Sequence, residues 1–233
     1  GAVPAAAMSE KPKADRARAM TTAALDDIAG VAHHPDGVPE GVVLLTHGAG
    51  GSRESPLLVA VCDEWARRGW LAIRYNLPYR RRRPTGPPSG SSAADQSGIA
   101  EALTVARELC AGPLIAGGHS YGGRLTSMLV AAKPGIADEL TLFSYPLHPP
   151  GKPERLRTEH FGAITVPTVF THGSSDPFGS LQELRSAVAL IPAETAIVEL
   201  SGVRHDLGFS RGTKVPDVET RAVDAALGFG RHG

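Results

Sequence analysis

From residue 42 onward, short apolar runs alternate with longer amphipathic ones. The strand-like runs are "VVLLTH" (42–47), "WLAIRY" (70–75), "PLIAGG" (113–118), "ELTLFSY" (139–145), "PTVFTH" (167–172) and "TAIVEL" (195–200). Several are apolar at nearly every position, the mark of a strand covered on both faces. Helical periodicity falls near 56–69, 94–110, 121–132, 179–191 and 216–229. Ser180 and Asp217 suit helix starts and Gly69 a helix stop. Strand–helix alternation predicts an α/β fold with a largely parallel sheet and helices on both faces. Segment 21–41, with "HHPDGVPEG", reads as a polar hairpin or edge strand leading in. Residues 1–20 read as a mobile tail or cloning scar, and 21–233 as a single domain with no internal linker.

The unusual polar residues cluster at predicted strand ends. "THGAGG" follows the first core strand, "NLPYRRRR" the second, "GHSYGG" the third, "PLHPPGKP" the fourth, "GSSDPFG" the fifth and "GVRHDL" the sixth. In an open α/β sheet, ligands gather outside the carboxyl ends of the strands. Gly118-His119-Ser120-Tyr121-Gly122 fits G-x-S-x-G between a predicted strand and a predicted helix. That turn needs strained φ/ψ at the serine, and flanking glycines remove the β-carbons that would clash. A flexible glycine loop is the bland alternative; the strand-to-helix context favours a nucleophile elbow.

A serine hydroxyl needs a base, and the base needs an orienting acid. Asp176 after the fifth strand and His205 after the sixth supply them in the order serine, acid, histidine. Asp206, adjacent to His205, has difficulty reaching the ring's Nδ1 side and ranks below Asp176. His119, His148 and His172 are the competing bases; His119 and His172 read as positional, while His148 precedes the acid and reads as a substrate-rim residue. The oxyanion hole is expected from the Tyr121 N–H and the Ala49 N–H, with Gly50 as the alternative to Ala49. "HGAGGS" does not fit a dinucleotide loop, which would require glycine where Arg53 stands, nor a phosphate loop.

These motifs resemble the α/β-hydrolase superfamily over about residues 21–230. "LTHGAGG", "RYNLPYRRRRP", "GGHSYGGR", "SYPLHPPGKPERLR" and "THGSSDPFGS" resemble more narrowly a dienelactone-hydrolase-like group, which includes testis-expressed protein thirty and the hydrolase-like domain of NSL complex subunit 3. The resemblance implies an α/β-hydrolase fold with about eight strands, mostly parallel, with Ser120 as nucleophile, Asp176 as acid and His205 as base. Dienelactone hydrolases carry a cysteine where this chain has Ser120.

Composition narrows the partners. Lys+Arg and Asp+Glu balance at 24 each, so no global charge draws the chain to nucleic acid or a membrane surface. The two cysteines, Cys62 and Cys110, point to packed thiols in a cytoplasmic protein rather than to a disulfide scaffold. No apolar run reaches membrane-spanning length. The histidines lack metal-ligand spacing, so neither metal nor cofactor is expected, and the oligomeric expectation is a monomer. The connection between the fourth and fifth core strands leaves no room for a large cap domain, which predicts a shallow site for small or exposed acyl groups.

Two readings of Arg80–Arg83 stay open: a solvated loop, or an anion-binding rim led by Arg80 and Arg81. The functional expectation is a carboxylesterase-like serine hydrolase acting on a small-molecule acyl substrate. Thioesterase, peptidase and perhydrolase work fit the same residues. A non-catalytic interaction module on the same fold is the competing class.

Overall fold

A computed structural model describes residues 5–210 and 215–230, with side chains from residue 13 onward. The apolar runs form β2 (Val42–Thr46), β3 (Leu71–Tyr75), β4 (Leu114–His119), β5 (Glu139–Phe143), β6 (Thr168–Gly173) and β7 (Thr195–Leu200). Every residue of β2, β3, β5 and β6 is buried, as a strand sandwiched between helix layers requires. With β1 (Gly30–His33), they make one sheet in the order β1-β3-β2-β4-β5-β6-β7. Only β1 runs antiparallel, at the edge against β3; the remaining pairs are parallel.

Successive side chains on a strand face opposite sides, and two cores follow from that alternation. Val42, Leu44, Leu71, Ile73, Ala116 and Leu142 pack with α4 (Ala93–Leu109), α5 (Ser120–Ala132) and α6 (Leu181–Val188). Val43, Leu45, Ala72, Ile115, Phe143 and Val169 pack on the other face with α2 (Pro56–Arg67) and α7 (Val218–Leu227). Ser180 starts α6 with a capping box to Glu183, and Gly69 follows the end of α2 with φ +87°, both as the sequence predicts.

The sheet has seven strands among the described residues, not about eight. Segment 21–41 contributes a single strand because its first part continues α1 (Ala5–Asp26), and Leu25 and Ile28 are buried against the core. Helix α1 also covers most of the predicted tail, whose residues 1–4 lie outside the described residues. Part of the predicted arginine-rich loop is a short helix, α3 (Pro78–Arg82). Between β5 and β6, residues 144–167 hold only one 3-10 turn, Phe161–Ala163, and no cap domain. Among the described residues, no helix is long and apolar enough to cross a membrane.

Candidate active site

Strand β4 hands over to α5 with no residue between them. The first helical residue, Ser120, has φ +49°, a left-handed conformation that strains any residue with a β-carbon. The turn is possible because its neighbours lack side chains. A β-carbon on Gly118 would lie 2.4 Å from the Thr46 carbonyl oxygen, one on Gly122 2.4 Å from that of His47, and one on Gly123 2.5 Å from that of Gly118. The bare backbones press α5 against β2 and hold Ser120 at the carboxyl edge of the sheet.

Two loops from the same edge complete a line of hydrogen bonds. The turn after β6 carries Asp176, whose side chain is fully buried. The turn after β7 carries His205. Its Nδ1–H donates to Asp176 Oδ2 at 2.8 Å, which leaves Nε2 to accept from the Ser120 hydroxyl at 2.8 Å. The other Asp176 oxygen accepts from the Phe178 N–H at 2.8 Å, so the carboxylate cannot turn freely. Such a line can move the serine proton onto the imidazole while the carboxylate stabilises the resulting cation.

The loop after β2 lies against this turn: a β-carbon on Gly48 would stand 3.4 Å from Ser120 Cβ. Its carbonyls are gripped from the protein side. Gly48 O accepts from His47 Nδ1 at 2.8 Å, Gly51 N–H at 3.1 Å and the Tyr79 hydroxyl at 3.1 Å. Ala49 O accepts from the Tyr79 hydroxyl at 2.6 Å and Arg80 Nη2 at 3.2 Å. A trans peptide is planar, with the carbonyl of one residue and the N–H of the next pointing opposite ways. Holding Gly48 O and Ala49 O therefore turns the Ala49 and Gly50 N–H groups away from Tyr79. Tyr121, second residue of α5, adds an N–H from the first helical turn, where no intrahelical acceptor exists.

His47 belongs to this brace. Its Nε2 accepts from the Leu77 N–H at 3.1 Å, so the ring is neutral with its proton on Nδ1. Burial lowers its pKa to about 4, in keeping with that assignment. Asp95 joins the loop's support to the elbow: Oδ1 accepts from the Tyr79 N–H at 3.1 Å and Oδ2 from the Tyr121 hydroxyl at 2.9 Å.

Residues 39–228 match the family described as the alpha/beta hydrolase domain. The chain belongs to that family. Solved structures agree at the level of fold. Est1E from Butyrivibrio proteoclasticus, described with ferulic acid bound, superposes with a TM-score of 0.67 at 16% identity, covering 85% of this chain and 95% of its own. An alpha-beta serine hydrolase homologue from Coxiella burnetii gives 0.66 at 15% identity, covering 84% and 90% of the two chains. Dienelactone hydrolase from Anabaena variabilis gives 0.63 at 19%, covering 85% and 87%.

In this alpha/beta hydrolase the predicted rim residues do not form a rim. Arg80 is 4% exposed, and its guanidinium donates to the backbone carbonyls of Gly51, Ala49, Arg83 and Gly86. Arg81 reaches back to the Asp27 carbonyl at 2.6 Å. His148 is buried, with Nδ1 on the Pro149 carbonyl at 2.8 Å and Nε2 3.3 Å from the Glu183 carboxylate. Arg80 and His148 are consumed by their own surroundings, while Arg81 faces a cleft between α3 and α4. Asp206, the rival acid, accepts from the Gly208 and Ser210 N–H groups; although burial opposes it, these bonds hold its carboxyl below the usual range. His172 is buried and donates from Nε2 to the Gly179 carbonyl at 2.7 Å.

Two residues pack beside His205, of which Phe178 carries no cue in the sequence pattern. Phe178 stacks on its ring at 4.3 Å and 29°, and the His148 N–H holds the Phe178 carbonyl at 3.1 Å. His119 donates from Nε2 to the His205 carbonyl at 2.9 Å, tying the histidine loop to the elbow. Burial, helped by the His205 ring, lowers the His119 pKa to about 4, so it stays neutral. A cleft of about 630 Å³ between α3 and α4, lined by Pro78, Arg81, Ser97 and Glu101 among others, includes none of Ser120, Asp176 and His205. Among the described residues, no three His, Cys, Asp or Glu side chains are grouped to hold a metal ion.

Proposed function

We propose that this alpha/beta hydrolase is a serine hydrolase that cleaves small or exposed acyl esters through an acyl-enzyme. The observation carrying the proposal is the unbroken line Asp176–His205–Ser120, with both links at 2.8 Å and the serine at φ +49°. A positioned base and a strained, raised hydroxyl are the requirements of an activated nucleophile. A residue held in this strain persists only where its surroundings over-determine it, and a purely structural turn has no use for it.

In the proposed cycle, Ser120 Oγ attacks the ester carbonyl carbon as His205 Nε2 takes the hydroxyl proton. Asp176 keeps the ring oriented and stabilises the imidazolium. The N–H groups of Tyr121 and Ala49 receive the oxyanion, and the N-terminal end of α5 adds its positive dipole. His205 then gives the proton to the departing alcohol, and the carbonyl re-forms as the acyl-enzyme. Water, deprotonated by the same Nε2, attacks that ester; the acid leaves and Ser120 regains its proton. The missing cap domain, together with an α3/α4 cleft whose lining includes none of the three reacting residues, supports a shallow acyl site. The "PLHPPGKPE" segment supports the narrower placement among dienelactone-hydrolase-like proteins, and the free thiols of Cys62 and Cys110 fit a reducing cytoplasm.

Ser120→Ala tests the reading. Hydrolysis of p-nitrophenyl acetate should fall by a factor on the order of 10⁴ or more, with an unchanged melting curve, and fluorophosphonate should label the wild type at Ser120 alone. Equal turnover by wild type and variant, or a wild type that never takes the label, removes the assignment and leaves the interaction-module reading in its place.

A further inference from the structure

We infer that Arg80 is a positioning residue for the oxyanion loop, and that its charge, paired with no carboxylate, strengthens that loop toward a developing oxyanion. The inference rests on the acyl-transfer reading above and adds a residue to it. Of the four consecutive arginines, only Arg80 is buried; Arg82 and Arg83 are exposed. Its Nε donates to Gly51 O at 2.6 Å and its Nη2 to Ala49 O at 3.2 Å. One planar fork thus spans the turn Gly48–Gly51. The remaining donors reach Gly86 O at 2.8 Å and Arg83 O at 3.0 Å, which fixes the guanidinium from behind. The Tyr79 ring lies 4.9 Å from its central carbon.

The partner set is unusual for a buried cation. Burying charge is costly unless a counter-charge or several dipoles compensate, and here the hydrogen-bonded partners are neutral carbonyls. Among the described residues Arg80 forms no ion pair. Asp95, the buried carboxylate nearby in the brace, gives its oxygens to the Tyr79 N–H and the Tyr121 hydroxyl. A loop needing only bracing could be held by a neutral amide. An arginine does two further things. It draws electron density from the Ala49 carbonyl, which polarises the Gly50 N–H at the far end of that peptide, the alternative to the Ala49 N–H as second oxyanion donor. It also places a positive charge behind the backbone that would meet the tetrahedral intermediate, in a site where low dielectric magnifies such charges. The interaction grows as negative charge develops on the substrate oxygen, so it acts on turnover rather than on substrate capture.

The test is steady-state hydrolysis of p-nitrophenyl acetate by Arg80→Met, Arg80→Lys and Arg80→Gln, beside fluorophosphonate labelling of the wild type and melting curves of all four proteins. Arg80→Met should lower kcat about 100-fold, the scale of losing one oxyanion donor, with KM within about threefold. Arg80→Lys, which keeps the charge with fewer bonds, should recover at least about tenfold of that loss, and Arg80→Gln should not. Wild-type kcat in Arg80→Met, or a raised KM at constant kcat, overturns the inference while the labelled wild type keeps the hydrolase reading. A wild type that takes no label overturns both. Should Arg80→Met lose its cooperative melt, the other two variants decide: a kcat about tenfold higher for Lys than for Gln supports the role of charge, and equal values overturn it.

Discussion

Two glycine-rich turns meet at the carboxyl edge of this sheet, and they are built on opposite principles. The elbow after β4 is shaped by exclusion. β-Carbons at Gly117, Gly118, Gly122 and Gly123 would stand 1.8–2.5 Å from backbone carbonyl oxygens, so its path is dictated by what cannot be there. The loop after β2 is shaped by grip. Gly50 has open space around it, and a β-carbon at Gly51 would make ordinary contact at 3.5 Å. Its form comes from His47, Tyr79 and Arg80 holding the Gly48, Ala49 and Gly51 carbonyls. Glycine means intolerance in one turn and little more than permissiveness at two positions of the other.

The sharpest way to break that contrast is Gly118→Ala. The added carbon would meet the Thr46 carbonyl oxygen at 2.4 Å, and Thr46 is the last residue of β2, bonded on both sides within the sheet. Neither backbone can yield without displacing Ser120 from His205. The variant should lose about 3 kcal/mol of stability, read as a lower urea midpoint, and about 100-fold in kcat from misplacing Ser120, the proposed nucleophile. A variant with wild-type midpoint and turnover would show that the elbow has slack and that exclusion does not shape it.

The same contrast explains what could be read from the residues alone. The elbow is a local object: strand, two flanking glycines, serine and helix all lie within 114–132, so its meaning is contained in a short string. The fully apolar strands are legible for the same reason, and the order Ser120, Asp176, His205 follows from where those strands end. The loop's support is not local. Tyr79 and Arg80 lie about thirty positions from the carbonyls they hold, and Asp95 sits sixteen from Tyr79 and twenty-six from Tyr121. Nothing in "RRRR" distinguishes the one arginine that turns inward from its neighbours; Pro78 starting α3, and Leu77 bonded to His47, decide it. Segment 21–41, legible as a hairpin or an edge strand, supplies the edge strand β1, while its first part continues α1 and packs Leu25 and Ile28 into the core, which no polar pattern signals. Phe178 stayed invisible because stacking on His205 depends on two turns from different strands.

Grip through a titratable side chain brings an acid limit that exclusion lacks. His47 holds the loop only while neutral, because Nε2 must accept from the Leu77 N–H. Burial, the leading cause, lowers its folded pKa from 6.5 to about 4. As pH falls through that interval, the unfolded chain binds the proton and the folded chain does not. The stability contribution is therefore complete above about pH 6.5, declines between pH 6.5 and 4, and is exhausted below; for this fully buried ring it amounts to about 3 kcal/mol. His119 and His160, each also lowered to about 4 chiefly by burial, act in the same direction. Urea midpoints taken from pH 7.5 to 4.5 should fall, and His47→Gln should flatten part of that fall while lowering stability at pH 7.5. An identical pH slope in wild type and variant would mean that His47 is not the titrating brace.

The smallest expected effect completes the comparison, because it concerns a glycine that could be mistaken for an essential one. Gly50 sits in the middle of "HGAGG", two residues from the loop's tight contact with Ser120, yet it is exposed, its φ is not positive, and a β-carbon there meets nothing within 4 Å. Replacing it with alanine narrows the unfolded ensemble without straining the native turn, which stabilises by about 0.4–1 kcal/mol at compatible sites. The grip on Ala49 O, and hence the direction of the Gly50 N–H, involves no atom that the substitution adds. Gly50→Ala should leave kcat for p-nitrophenyl acetate within about twofold and hold or raise the urea midpoint, the reverse of Gly118→Ala by the same assay. A loss in Gly50→Ala comparable to that in Gly118→Ala would mean that both turns are shaped by exclusion. The carbonyl grips of Tyr79 and Arg80 would then be a consequence of the loop's path rather than its cause.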